Sequence, residues 1–251
     1  MKILVLGDIH GRTTWKHIID RESPDKVVFL GDYVSTYYDI LERDQVDNLV
    51  EILKYKESHS NGVVLLRGNH DMEALGYEWA ACFPVFRSKF LFWEKNAKLR
   101  DRFLKDTQWV FRENNILFSH AGVSQTWFDI LKEKYSTTVK DIVDINLLEP
   151  SKDFGFTTGV DNPSDSFGNS IYQPCTCIRL DALIRSAVPG THVVGHSTTM
   201  EVFHLVDKIP EEEKNSPSIK NLDIWCCDAL GNGSYLSIED QTFHVKNILD
   251  K

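Results

Sequence analysis

The chain has 251 residues, 42% hydrophobic and 26% charged, with 14 Gly and 8 Pro, the composition of an ordinary globular protein rather than a disordered or fibrous one. That length lets a single α/β domain spanning residues 1–251 enclose a large core. A formal charge of −9 and a pI near 5.5 exclude a general electrostatic grip on duplex nucleic acid or an anionic membrane, and leave room only for a local basic pocket.

The opening "MKILVLGDIHG" has one lysine and too few apolar residues before Gly7-Asp8 for a signal h-region, and no later apolar run approaches membrane-spanning length. "KILVLG" (2–7), "KVVFLG" (26–31) and "GVVLLR" (62–67) are continuously apolar and rich in Val, Ile and Leu, as buried strands of a sheet covered on both faces should be. Between the first two, "TTWKHIIDR" opens with possible Thr caps and has room for two helical turns. Between the second and third, Val46, Leu49, Val50 and Leu53 follow the spacing of an amphipathic helix. The chain therefore begins β-α-β-α-β.

From residue 72 to about Lys105 the pattern is mostly helical, and "QWVFRENNILFSHAG" then reads as two strands joined at Asn114-Asn115. A helix is expected over 124–134. "EPSKDFGFTTGVDNPSDSFGNSIYQP" is rich in Gly, Pro, Ser and Asp and reads as a long surface loop. A helix "RLDALIRSAV" follows, and then "THVVGH", "MEVFHLV", "DIWCCDA" and "SYLSIED" read as strands. Strands gathered at the end after a wound beginning suggest an α/β sandwich in which a second, mixed sheet packs on the first. The five cysteines, Cys82, Cys175, Cys177, Cys226 and Cys227, lack paired zinc-ribbon spacing and read as buried reduced thiols of a cytoplasmic protein.

The apolar strands leave in "GDIHG", "GDYV", "RGNHD", "SHAG" and "GHST", each delivering Asp, Asn or His. In an open α/β sheet these exits share one edge, where ligands bind. Asp8 and His10, two positions apart, can point to the same side, and Asp32, Asn69, His120 and His196 complete a carboxylate, amide and imidazole set. The absence of thiolate disfavours structural zinc, and the imidazoles disfavour a purely Mg²⁺ or Ca²⁺ site; Mn²⁺, Fe or Zn²⁺ suit the set better. So many ligands suit two ions sharing a carboxylate, roughly 3.5–4 Å apart, the arrangement that clamps the oxygens of a phosphoryl displacement. His17, His59, His192, His204 and His244 are read as ordinary core or surface residues.

"GDIHG", "GDYV", "LLRGNHD", "ILFSHAGVS" and "VVGHS", in this order, closely resemble the calcineurin-like metallophosphoesterases, specifically the phosphoprotein phosphatase branch with its bacterial and phage members. The resemblance runs from residue 3 to about residue 240, where "WCCDALGNGSYLSIE" looks like that branch's closing segment. It implies two mixed β-sheets flanked by helices, with the site at the C-terminal ends of strands. It implies that Asp8 and His10 hold one divalent ion, Mn²⁺ before Fe or Zn²⁺, that Asp32 bridges, and that Asn69, His120 and His196 hold the second. A hydroxide formed between the ions would attack phosphorus in line, without a covalent enzyme intermediate, while His70 protonates the leaving oxygen. Thr198 stands where nuclease-type members place a further ligating His, which favours the phosphatase branch.

The second motif departs from the branch. Ser35 and Thr36 replace the Asp that normally orients the general-acid His and the Arg that grips phosphate. Asp39, Asp71 or another carboxylate is left to orient His70. Arg179 is the candidate for gripping phosphate, with a solvent-facing first-turn arginine as the alternative; Arg67 matches a family arginine and is either a second substrate contact or structural. Tyr37 and Tyr38 either stack on a nucleoside base or pack on the core. A phosphoserine or phosphothreonine protein is the leading substrate, a dinucleoside polyphosphate of the diadenosine tetraphosphate type the alternative. An inactive family member used as a binding scaffold is a further reading, against which every ligand position is filled.

Overall fold

The computed structural model describes residues 1–35, 39–77, 96–157, 161, 167–210, 212 and 222–250. Thr36, Tyr37, Tyr38 and Cys82 lie outside these, as does most of the helical stretch expected between 72 and 105. The first sheet has the order β10-β9-β1-β2-β3. In it β1 (Lys2–Leu6), β2 (Lys26–Phe29) and β3 (Val63–Leu65) are parallel, while β9 (Ser234–Glu239) and β10 (Thr242–Asn247) are antiparallel neighbours. The second sheet has the order β4-β5-β6-β8-β7. Its centre is parallel, through β5 (Ile116–Ser119), β6 (Thr191–Val194) and β8 (Asp223–Cys226). Its edges, β4 (Val110–Glu113) and β7 (Phe203–His204), are antiparallel.

Two-residue periodicity explains the layering. Ile3, Val5, Val28 and Leu30 face inward with Phe118 and Val193, and form the core between the sheets. Leu4, Leu6, Val27 and Phe29 face outward against Trp15 and Ile18 of α1 (Thr14–Glu22) and Leu49, Ile52 and Leu53 of α2 (Glu42–Ser58). On the far side, Val194, Ile224 and Cys226 pack under Ala182 and Leu183 of α6 (Leu180–Ser186). Both faces of each sheet are covered, so continuously apolar strands are what burial demands.

The helices expected over 13–21 and 46–53 form, although Thr13 at the α1 N-cap makes no side-chain cap bond. α3 (Asn69–Ala74) is short, and α4 (Ala97–Asp106) precedes β4. In α5 (Gln125–Lys134) the Ser124 hydroxyl caps Trp127 N at 3.0 Å.

Three expectations are corrected. β9 does not extend the second sheet: it returns to pair with β1, and is followed by β10, which the sequence reading did not find. "MEVFHLV" is a strand only at Phe203–His204, giving way to a 3-10 turn at Leu205–Lys208. The described part of 149–174 is not all surface: Phe154 is fully buried, stacked on Trp109 with ring centroids 3.8 Å apart, and Ser170 and Gln173 are buried too. The described cysteines, Cys175, Cys177, Cys226 and Cys227, are buried and free, as expected, and burial pushes the Cys226 thiol up to about 12.

Candidate metal centre

The turns leaving β1, β2, β5, β6 and β8 carry the chemistry, because parallel strands deliver their exits to one edge. Backbone bonds extend the β1–β2 ladder into those turns: His10 N donates to the Asp32 carbonyl at 2.7 Å and Gly11 N to the Tyr33 carbonyl at 2.9 Å. His10, Asp32 and His196 sit on left-handed backbone, with φ of 45°, 50° and 62°. That region costs a non-glycine residue roughly 1–2 kcal/mol, and persists only where surrounding bonds hold it. Close approach needs two glycines: a Cβ on Gly68 would stand 2.0 Å from Asp32 Oδ1, and one on Gly195 2.3 Å from Asp8 Oδ1.

Hydrogen bonds tie the exits of the two sheets together. His196 N donates to Asp8 Oδ1 at 3.1 Å, and His120 Nδ1 donates to the Leu30 carbonyl at 2.8 Å. A carbonyl only accepts, so His120 carries its proton on Nδ1 and presents a lone pair at Nε2. Burial holds its pKa down at about 3, so the ring is neutral. The Nε2 lone pair nevertheless faces oxygens, Asn69 Oδ1 at 3.1 Å and Asp32 Oδ2 at 3.5 Å. His10 repeats the pattern: Nδ1 lies 3.3 Å from the Val34 carbonyl, burial keeps the pKa at about 3, and Nε2 faces Asp8 Oδ2 and Asp32 Oδ2, each at 3.9 Å. His196 Nδ1 approaches Asn69 Oδ1 at 3.0 Å, and burial drives its pKa well below the ordinary value.

Burial, joined by Asp228 beside Asp8 and by Asp8 beside Asp32, pushes both carboxyls well above their usual range. A divalent cation would relieve both carboxyls and accept the imidazole lone pairs turned toward them. Asp8, Asp32 and His120 bring their donor atoms within 4.8 Å of one another. Two ligands of one ion at about 2.1 Å stand roughly 3–4 Å apart, so the observed spacings fit divalent metal. Asp32 Oδ2 faces His10 Nε2 at 3.9 Å and His120 Nε2 at 3.5 Å, and Asn69 Oδ1 faces His120 Nε2 at 3.1 Å and His196 Nδ1 at 3.0 Å.

His70 joins the set. Its backbone N donates to Asp32 Oδ1 at 2.9 Å, and its ring meets that of His10 edge-on with centroids 5.4 Å apart. Asp39 is exposed. Asp71 is committed to backbone, accepting from Asp32 N at 2.8 Å, Tyr33 N at 2.8 Å and Gly68 N at 2.9 Å, so it clamps two exits together. Burial pushes its pKa up to about 7, against the downward pull of those amides. The carboxylate that does face the ring is Glu73, whose Oε2 lies 3.6 Å from His70 Nδ1. Sequence reading did not single it out, although "HDME" on a helix starting at Asn69 places it on the same face as His70.

Arg179 reaches the site, donating from Nη1 to the His196 carbonyl at 3.0 Å and from Nε to the Phe167 carbonyl at 3.3 Å. Arg67 is not brought there. Its guanidinium donates to Thr107 Oγ1 at 2.9 Å and to the Leu104 and Thr107 carbonyls at 2.6 and 2.8 Å, and stacks on Trp109, contacts that favour the structural reading over the substrate contact. Asp228, at the exit of β8, is a further residue missed; the strand-exit rule applied to "WCCDA" finds it. Thr198 donates its hydroxyl to Asp228 Oδ2 at 2.8 Å.

Among curated proteins none matches the chain. A cold-active protein-tyrosine phosphatase of a psychrophile, Shewanella sp., superposes with a TM-score of 0.57 at 16% identity, over 98% of this chain and 77% of its own. A protein serine/threonine phosphatase from Saccharomyces cerevisiae, similar to human phosphatase PP5, superposes with a TM-score of 0.52 at 16% identity, over 100% of this chain and 81% of its own. At that identity they bear on fold, which is the two-sheet sandwich described above. The sequence itself matches the calcineurin-like phosphoesterases over residues 1–198, the span that holds every donor from Asp8 to His196, and the chain belongs to that family.

Proposed function

We propose that this phosphoesterase hydrolyses phosphomonoesters with two divalent ions, Mn²⁺ first and Fe or Zn²⁺ as alternatives, and that phosphoserine and phosphothreonine in proteins are its substrates. The observation that carries the reading is the place of Asp32, whose Oδ2 faces an imidazole of each donor group, His10 at 3.9 Å and His120 at 3.5 Å. In this reading Asp8 and His10 would hold one ion, Asn69, His120 and His196 the other, and Asp32 would serve both. When bound, the ions supply an acidified water as nucleophile and positive charge against the phosphoryl oxygens. Arg179, anchored on the His196 carbonyl, steadies those oxygens, and His70 passes a proton to the leaving oxygen. Asp71 keeps the exits of β2 and β3 in register while this happens.

The Thr198–Asp228 bond gives position 198 a supporting part rather than that of a ligand, which favours phosphomonoesters over the diesters of nuclease-type relatives. The second reading, a dinucleoside polyphosphate hydrolase, draws on Ser35 and Thr36 replacing the usual acid and arginine. The charge of −9 argues against duplex nucleic acid as substrate. Among the described residues no helix is long and apolar enough to cross a membrane. The buried free thiols fit a reducing, cytoplasmic setting.

The test is phosphate release with Mn²⁺ from a phosphothreonine peptide, a phosphotyrosine peptide and diadenosine tetraphosphate, side by side, with His70→Asn and Asp8→Asn as controls. Turnover of phosphothreonine, lost in both variants, is the expected result. Turnover of the dinucleotide alone would move the protein to the nucleotide hydrolases, and turnover of phosphotyrosine alone would change the protein substrate. No turnover with any metal would sink the catalytic reading.

A further inference from the structure

His70 and Glu73 stand three positions apart on α3, so their side chains rise from adjacent points on one face of the helix. Glu73 is only 1% exposed, and its Oε2 lies 3.6 Å from His70 Nδ1. The ring meets that of His10 edge-on, with centroids 5.4 Å apart, and stands one residue from Asn69. The other carboxyls near it are excluded: Asp71 spends its oxygens on three backbone amides, Asp8 takes the His196 amide, and Asp32 takes the amide of His70 itself. An imidazole that must deliver a proton from one nitrogen is held in tautomer and orientation by whatever accepts from the other. A separation of 3.6 Å is longer than a formed hydrogen bond, and such bonds in ligand-free sites tighten when substrate is bound.

We infer that Glu73 is the positioning residue for His70, accepting its Nδ1–H so that Nε2–H addresses the leaving oxygen. The inference rests on the reading of His70 as proton donor given above. As the bond from the attacking water oxygen to phosphorus forms and the bond to the leaving oxygen breaks, the Nε2 proton passes to that oxygen, giving the free alcohol and inorganic phosphate. The ring is reprotonated by the proton that the water releases. Nothing is oxidised or reduced.

The consequence is selective. A proton donor matters for a poor leaving group and hardly at all for a good one, so weakening His70 through Glu73 should be visible only with the former. Wild type, Glu73→Gln, Glu73→Met, His70→Asn and the Glu73→Met/His70→Asn double variant are compared with Mn²⁺ on a phosphothreonine peptide and on 2,4-dinitrophenyl phosphate. Glu73→Met is expected to lower kcat on the peptide by about 10–100-fold, with KM unchanged, and to leave the dinitrophenyl ester within about threefold. Glu73→Gln, which keeps an acceptor without the charge, should fall between, and the double variant should be no worse than His70→Asn alone.

A second readout does not depend on turnover: long-range ¹H–¹⁵N spectra of the metal-free protein should show His70 as the Nδ1–H tautomer in wild type and not in Glu73→Met. Equal loss on both substrates, additive loss in the double variant, or an unchanged tautomer would each overturn the inference. If wild type cleaves neither substrate, the proposed function falls, while the tautomer still decides whether Glu73 positions the ring.

Discussion

Glu22, at the end of α1, and Asp32, at the exit of β2, are both buried carboxylates, yet their surroundings are opposite. Glu22 meets Lys2 at 2.6 Å, Lys246 at 2.8 Å and the Tyr235 hydroxyl at 2.7 Å. Burial alone would raise its pKa, but Lys2, Lys246 and Tyr235 together pull it down to about 2. Asp32 meets another carboxylate and neutral imidazoles, and its pKa is driven well upward, by burial first and then by Asp8. One cluster carries its compensation in the chain; the other is built to receive it from outside. Buried charge by itself therefore does not mark a functional site, and what does is buried charge whose neighbours fail to neutralise it.

The largest test of that contrast is Asp32→Asn. Wild type should gain about 2.7 kcal/mol of stability from Mn²⁺ at a hundred times its Kd, read as a rise in Tm, and the variant should lose both that gain and about 1,000-fold in kcat/KM. In the metal-free state the variant should melt at or above wild type, because it removes an uncompensated acid. A variant that melts lower without metal and keeps the Mn²⁺ shift would break the comparison.

Next come the two arginines, which were given one expected task and occupy two environments. Arg67→Ala should cost about 2–3 kcal/mol in urea unfolding, since Thr107, the Leu104 carbonyl and Trp109 lose their partner, with KM per folded molecule unchanged. Arg179→Ala should do the reverse, raising KM about tenfold with little change in Tm. Exchanged outcomes would reassign both.

The smallest effect belongs to Glu22→Gln, about 1 kcal/mol with activity unchanged. Its signature is in pH. A carboxylate whose folded pKa lies below its ordinary value of 4.5 contributes stability that is present above that value and drains away as pH falls toward 2. Urea midpoints between pH 3 and 6 should slope less steeply for the variant. Parallel slopes would mean that Lys2 and Lys246 do not compensate Glu22 in solution.

The candidate metal set was legible because each donor follows an apolar strand by one to four residues, a local relation that survives without knowing the fold. Arg67 was ambiguous for the opposite reason: its fate depends on the C-terminal end of α4, about forty positions away, and no local pattern announces that contact. β9 was visible as a strand but not as a neighbour of β1, because an apolar run does not say which edge it will pair with. Phe154 was lost in a stretch whose polar composition masked one aromatic anchor. Glu73 was legible in principle. It was passed over because its meaning depends on α3 starting at Asn69, which turns a spacing of three into adjacency.

The bonds from His196 N to Asp8 and from His120 to the Leu30 carbonyl have one more consequence. Each fastens a turn of one sheet to a turn of the other, so Asp8, His10, Asp32 and Asn69 stand on one side of the seam and His120 and His196 on the other. A slip of one sheet past the other by a single residue, about 3.3 Å, would part the two halves of the clasp. Uptake of the second ion of the proposed pair should therefore report on sandwich closure, because the donors assigned to it, Asn69 with His120 and His196, meet only once both layers have docked in their final alignment.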